Sequence, residues 1–186
     1  MTRMAVPHPI LVTPRLRLRP YRLEDVDAMH ECYSDPMLMR FWDRPPHTRR
    51  SQTERSVQRG MQNVPSRRRV WAVADAGTDR CLGMVNYHKR DPQNRNAHVG
   101  YMIHPAWHGR GLAREAVGAL LAHCCGELQL HRLTAVIDTE NAASCRLAEG
   151  FGFVREGVMR QTLLLGGVWR DDAVYGLLRP AWVGRR

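Results

Sequence analysis

A stretch in the middle of the chain has the makings of an anion site built from backbone. Gly109-Arg110-Gly111 lies between an apolar run rich in β-formers (Val99, Tyr101, Ile103), closed by His104-Pro105, and a segment with Leu112, Ala116 and Leu120 on one helical stripe. The pattern predicts a strand, a glycine turn and a helix N-terminus. A helix start carries unpaired N–H groups and the positive end of the dipole, and glycines let a phosphate come close to them. The turn lacks the Lys-Ser/Thr of a P-loop, and its glycines do not fit G-x-G-x-x-G. A pyrophosphate cradle at Gly109-Arg110-Gly111 and the helix start after it is expected, with an ordinary βα turn as the competing reading. A second stretch, Asn141-Ala142-Ala143-Ser144-Cys145, offers a helix N-cap in Asn141 and a hydroxyl in Ser144 that could simply bond its own helix. His98, at the head of the central strand, reads by itself as a polar residue on the solvent side of that strand.

The elements around these residues read as alternating strands and helices. Thr13 to Arg19 alternates apolar and charged residues and predicts a first strand, half buried. A helix is expected from about Glu24 to Tyr33, a short one over Met37 to Phe41, and a weaker one over Glu54 to Val64, spoiled by Gly60. Val70 to Ala74 and Cys81 to His88 form a hairpin leading into the central strand. After the cradle helix come a short strand (Leu133 to Ile137), a helix (Asn141 to Glu149), a glycine stop at Gly150-Phe151-Gly152-Phe153, and a final hairpin. The hairpin joins Val154 to Gln161 with Trp169 to Leu178 around Gly166-Gly167.

The 186 residues suit one domain with a real core, and 44% hydrophobic with 25% charged residues is ordinary for a globular protein. The longest apolar run, Ala116 to Cys125, is far short of a membrane span, and the N-terminus has no signal-peptide core, so a cytoplasmic protein is expected. Five cysteines without C-x-x-C spacing, and histidines without paired spacing, suggest neither a disulfide framework nor a metal site. The net charge of +10 rests almost wholly on arginine, Lys89 being the only lysine, and favours anionic partners.

His108-Gly109-Arg110-Gly111-Leu112-Ala113 resembles the acetyl-CoA motif of the GNAT N-acetyltransferases, Gln/Arg-x-x-Gly-x-Gly/Ala, with His108 in place of the usual first residue. Asn141-x-x-Ser144 followed by Gly150-Phe151-Gly152-Phe153 is similar to the second half of that signature. Arg155 to Arg160, Gly167 to Leu178 and the N-terminal T-x-R-L-x-L-R are similar to the RimJ/RimL branch, whose members include ribosomal-protein N-terminal acetyltransferases. The resemblance covers about residues 12 to 182. It implies the α/β (α+β) GNAT fold: a single domain, residues 1–186, with a mixed, mostly antiparallel twisted sheet flanked by helices and coenzyme A in the crevice where the central strands splay.

The resemblance also implies roles. Acetyl-CoA is the co-substrate, its pyrophosphate held by the backbone of His108, Gly109, Arg110, Gly111, Leu112 and Ala113. The thioester carbonyl is polarised by a main-chain N–H near Met102 or Ile103, and Asn141 meets the pantetheine arm or a bound water. Ser144 stands where a hydroxyl faces the leaving sulfur. His98 occupies the position of a glutamate proposed in relatives as base or water-orienter. Met39, Phe41 and Trp42 are candidates for the acceptor wall, and Cys145 is not needed as a nucleophile.

Protonation bounds the acceptor. An α-amine with a pKa of about 7.7–8.0 is roughly 10–20% neutral at pH 7, whereas a lysine amine is neutral for under ~0.1%. A weak base therefore suits an α-amine, which together with the branch resemblance favours a protein N-terminus. The alternatives are a small amine (antibiotic, polyamine or amino acid), against which the scarcity of acidic residues near Glu24 to Asp43 counts, and a non-catalytic acyl-CoA or RNA-binding module, for which no RNA-binding pattern is present. Nucleic acid enters only indirectly, through a ribosomal target. The oligomeric state, a homodimer included, is left open.

Overall fold

Among the described residues eight strands form one sheet in the order β1-β2-β3-β4-β5-β6-β8-β7. The computed structural model describes residues 7–62 and 64–183. The strands are β1 (Leu11–Val12), β2 (Leu16–Arg19), β3 (Arg69–Asp75), β4 (Cys81–Asp91), β5 (Asn96–Ile103), β6 (Arg132–Asp138), β7 (Val154–Leu165) and β8 (Val168–Leu178). The helices are α1 (Val26–Ser34), α2 (Pro36–Met39), α3 (Arg50–Met61), α4 (Leu112–Gly126), α5 (Ala142–Gly150) and α6 (Arg179–Val183). Neighbouring strands run antiparallel, except that β5 and β6 are parallel and connected through α4.

Side-chain alternation divides β3 to β5 between two cores. Odd-numbered residues such as Trp71, Val85, Tyr87 and Ala97 pack with Leu112, Ala116 and Leu120 of α4, all buried. Even-numbered Ala72, Met84 and Met102 pack with Met29 of α1 and Val57 of α3. The stripe expected on the cradle helix is thus the stripe that faces the sheet. Four cysteines are buried in these cores and Cys145 is half-buried, all as free thiols.

Three expectations are corrected. The stretch from Thr13 to Arg19 is strand only from Leu16: Thr13-Pro14-Arg15 is the turn between β1 and β2, where Thr13 Oγ accepts the Leu16 N–H at 3.0 Å. The helix expected over Glu54 to Val64 is α3, beginning at Arg50, because Gln52 Oε1 accepts the N–H groups of Thr48 and Arg49 at 2.8 and 2.9 Å and starts it early. Gly60 is a packing requirement of that helix, since a Cβ there would stand 2.6 Å from the Tyr21 ring. Met39, a candidate for the acceptor wall, is fully buried in the core instead. Among the described residues no helix is long and apolar enough to cross a membrane.

Candidate active site

The parallel pairing of β5 with β6 is short. Only Asn96 with Arg132, Ala97 with Leu133 and His98 with Thr134 are in register, after which the two strands part. On the other side β5 stays paired with β4 to its end, Gly83 facing Ile103. The His104 N–H donates to Leu82 O at 2.7 Å, which assigns the even-numbered backbone groups of β5 to the β4 ladder. The peptide groups of Tyr101 and Ile103 then face the gap, and Ile103 O indeed accepts from His108 Nε2 at 2.7 Å. Of the two residues expected to offer an N–H to a bound carbonyl, Ile103 has the right orientation, while the backbone of Met102 is turned into the sheet.

The glycine turn lies where β5 leads into α4. Gly109 and Gly111 hold φ of 73° and 74°, a conformation that favours glycine. Gly111 is the N-cap of α4 and brings no side-chain cap, so the first-turn N–H groups of Leu112, Ala113 and Arg114 have no helical partner. Space is open around the turn: a Cβ on Gly109 would meet nothing within 4 Å, and one on Gly111 only the Arg15 guanidinium at 3.6 Å. Uncapped amides, open space and the exposed guanidinium groups of Arg110 and Arg114 form a donor set that fits a pyrophosphate. Arg110 is steadied over the Trp107 ring at 4.7 Å and Arg114 over Phe151 at 5.1 Å.

Contacts distant in sequence hold this turn. Glu115, in the first turns of α4, accepts from Thr13 Oγ at 2.6 Å and from the Arg15 N–H and Nε at 2.9 and 2.6 Å, while Arg15 Nη1 donates to Arg110 O at 2.9 Å. His104 Nδ1 accepts the Ala106 N–H at 3.1 Å, which leaves the proton on Nε2, and that nitrogen donates to Glu31 on α1 at 2.7 Å. Neither link is visible in the spacing of the sequence.

Ser144 and His98 approach the gap from opposite faces of the sheet. Asn141 caps α5, its Oδ1 accepting the Ser144 N–H at 3.1 Å, so the local role expected of it is realised. The Ser144 hydroxyl does not turn back on its helix but meets Tyr101 Oη at 2.9 Å. Burial pushes the Tyr101 phenol up, so it keeps its proton at neutral pH. Tyr101 is the residue that sequence reasoning passed over, reading it only as part of a strand.

His98 is half-buried on the α1/α3 side, its ring 5.5 Å from that of His88. Burial holds its pKa below the usual histidine value, with Lys89 and Arg132 adding to the effect. His88, hydrogen-bonded through Nδ1 to Asn86 Oδ1 at 2.9 Å, is pushed down to about 4 by burial, then by His98 and Lys89, with Asp43 opposing. Both imidazoles are neutral at pH 7.

The mixed sheet thus opens at the parallel pair of β5 and β6, with an uncapped glycine turn at the mouth. Residues 15–154 match the model of the acetyltransferase (GNAT) domain. The chain belongs to the GNAT acetyltransferases. This GNAT chain is 30% identical over 173 residues to the Bacillus subtilis N-acetyltransferase YoaA, covering 92% of this chain and 98% of that one. It is 34% identical over 89 residues to the Escherichia coli [ribosomal protein uS5]-alanine N-acetyltransferase, 48% of this chain and 46% of that enzyme. The crystal structure of a Bacillus anthracis GNAT-family acetyltransferase superposes with a TM-score of 0.83 at 27% identity, covering 92% of this chain and 99% of that one. The GNAT chain is thus an acetyl-CoA-dependent N-acyltransferase, and its relatives include ribosomal-protein acetyltransferases of the expected branch.

Proposed function

We propose that this cytoplasmic acetyltransferase acts on the α-amine of a protein or peptide N-terminus. The observation that carries the reading is His98: a neutral imidazole on the acceptor side of the sheet, with a pKa held below 6.5, is a weak base. Such a base suits an amine that already has a substantial neutral fraction, as an α-amine has and a lysine has not. Arginines predominate on that side from Arg40 to Arg59, which disfavours a polyamine. Similarity to an enzyme named for ribosomal protein alanine acetylation supports the same acceptor class.

In the proposed reaction the amine nitrogen attacks the thioester carbon directly. A C–N bond forms, the C–S bond breaks, and no enzyme-bound acyl group intervenes. The Ile103 N–H stabilises the charge that develops on the carbonyl oxygen, a contribution of roughly 10²-fold or more in rate. His98, directly or through one water, takes the amine proton. Ser144, backed by Tyr101, donates a proton or hydrogen bond to the departing thiolate, while the amides from Gly109 to Arg114, with His108 bracing the turn, hold the pyrophosphate and Asn141 lies along the pantetheine arm. Acetyl-CoA consumption measured against N-terminal peptides, lysine side chains, spermidine and free amino acids tests the reading. Peptides with a free N-terminus should give the highest kcat/KM, and a higher value for any of the small amines overturns it.

A further inference from the structure

The loop before α3 and the first turns of that helix form an open surface cleft of about 290 Å³, lined by Arg44, His47, Gln52, Arg55, Ser56 and Arg59 together with two prolines, with no carboxylate among the described residues that line it. From residue 40 to residue 59 the chain carries six arginines against only Asp43 and Glu54. Both acids are engaged: Asp43 accepts from Arg44 Nε at 2.8 Å, and Glu54 lies 3.8 Å from Arg50. Asp43 thereby compensates Arg44, and the net positive charge of the cleft rests on Arg55 and Arg59.

Its His47 wall is held in place. The His47 N–H donates to Tyr33 O at 2.7 Å, its ring lies 5.0 Å from the Tyr33 ring, and its Nδ1 is 2.8 Å from the fully buried Thr53 hydroxyl. Arg59 Nη2 donates to Ser56 Oγ at 3.2 Å. The same loop continues toward the reaction gap. Phe41 lies 6.0 Å from the Arg170 guanidinium, which is bound to Asp138 at the end of β6, and the Asp43 carboxylate is close enough to His88 to oppose the effect of its burial. The cleft and His98 thus share the acceptor side of the sheet.

We infer that this cleft binds acidic side chains of the acceptor, so that the enzyme selects N-termini followed closely by aspartate or glutamate. The inference rests on the N-terminal reading above and adds its specificity. Guanidinium groups recognise carboxylates through paired, charge-assisted hydrogen bonds, and an excess of positive charge steers an acidic chain toward them. The volume suits one or two side chains and is too small for a nucleic acid duplex, and the arginines are not interleaved with stacking aromatics.

The experiment compares peptides with one N-terminal residue followed either by Glu-Asp or by Gln-Asn, in the wild type and in the Arg55→Glu/Arg59→Glu double variant, reading the ratio of their kcat/KM values. That ratio is internal to each protein and so is independent of how much of the variant is folded. The wild type should favour the acidic peptide by about ten- to a hundredfold, mainly through KM; 0.5 M salt should compress the preference, and the double variant should abolish or invert it. Equal values for the two peptides, or a preference that survives in the double variant, overturns the inference while the N-terminal reading stands. Inhibition by a short RNA with no discrimination between the peptides overturns it as well. If small amines react and no peptide does, the N-terminal reading falls and this inference falls with it.

Discussion

Tyr101 Oη lies 2.9 Å from Ser144 Oγ, joining β5 to α5 across the place where β5 and β6 have already parted. The contact puts two hydroxyls at the gap, one held by a strand and one by the third residue of a capped helix. An exposed helical serine would gain little from such a partner, whereas one that must hold its proton toward a developing thiolate gains orientation. Ser144→Ala should lower kcat by roughly 10²-fold with little change in the KM for acetyl-CoA, as expected for an interaction that strengthens in the transition state. Tyr101→Phe should cost about tenfold, the equivalent of ~1.4 kcal/mol for one hydrogen bond. Full kcat in both variants, with chemistry rate-limiting, would return the role to solvent.

The cradle makes a separate claim on coenzyme affinity. Gly111 sits at φ 74° as the N-cap of α4, and a residue with a Cβ there costs about 1–3 kcal/mol or forces the turn to move. Gly111→Val should raise the Kd for coenzyme A at least about tenfold by calorimetry, since the amides that follow it would lose their common direction. Gly157→Ala is the control: its Cβ would meet nothing within 4 Å and its φ is not positive, so affinity should not change.

The Glu115 carboxylate ties the turn between β1 and β2 to the start of α4, and Arg15 in turn holds the Arg110 carbonyl in the glycine turn. Glu115→Ala leaves the Arg15 N–H and Nε without their acceptor and the Thr13 hydroxyl with only the Leu16 carbonyl, 3.2 Å away, and since water reaches the Arg15 groups the loss is about 1 kcal/mol. We expect a Tm lower by several degrees together with weaker coenzyme binding. A drop in Tm with unchanged affinity would make the clamp purely structural.

The residues legible in the sequence were those whose signals are local. The glycine turn, the stripe Leu112, Ala116 and Leu120, and the Asn141 cap depend on neighbours a few positions away, and each is found where the pattern predicts it. Contacts set by tertiary register were not legible. Tyr101 and Ser144 are 43 residues apart, and Thr13 and Glu115 are 102 apart, so neither pairing leaves a periodic trace. Gly60 shows the same limit in another form. Its helix propensity argues against a helix, but the Tyr21 ring occupies the space a side chain would need, and only the packed structure shows that. The choice between Ile103 and Met102 likewise required the pairing of β5 with β4, because alternation along one strand does not reveal which partner each peptide group faces.

His98 yields the most direct test of the acid–base assignment. Burial, with the charges of Lys89 and Arg132, holds its folded pKa below the ordinary 6.5. An imidazole acting as base must be neutral, so kcat/KM should fall as pH drops through that lowered value. The α-amine imposes its own limb at about 7.7–8.0, because only its neutral form attacks. A logarithmic plot of kcat/KM against pH should therefore have a slope near one between the two values and near two below the His98 pKa. His98→Gln should keep the amine limb, lose the steeper one, and lower the plateau by about 10²-fold, the lower end of what a positioned base supplies. His88→Gln, which removes the neighbouring ring but not the base, should keep both limbs and shift the lower one. If the steep limb survives at full height in His98→Gln, the proton goes to solvent or to another group, and the weak-base argument for an α-amine acceptor loses its footing.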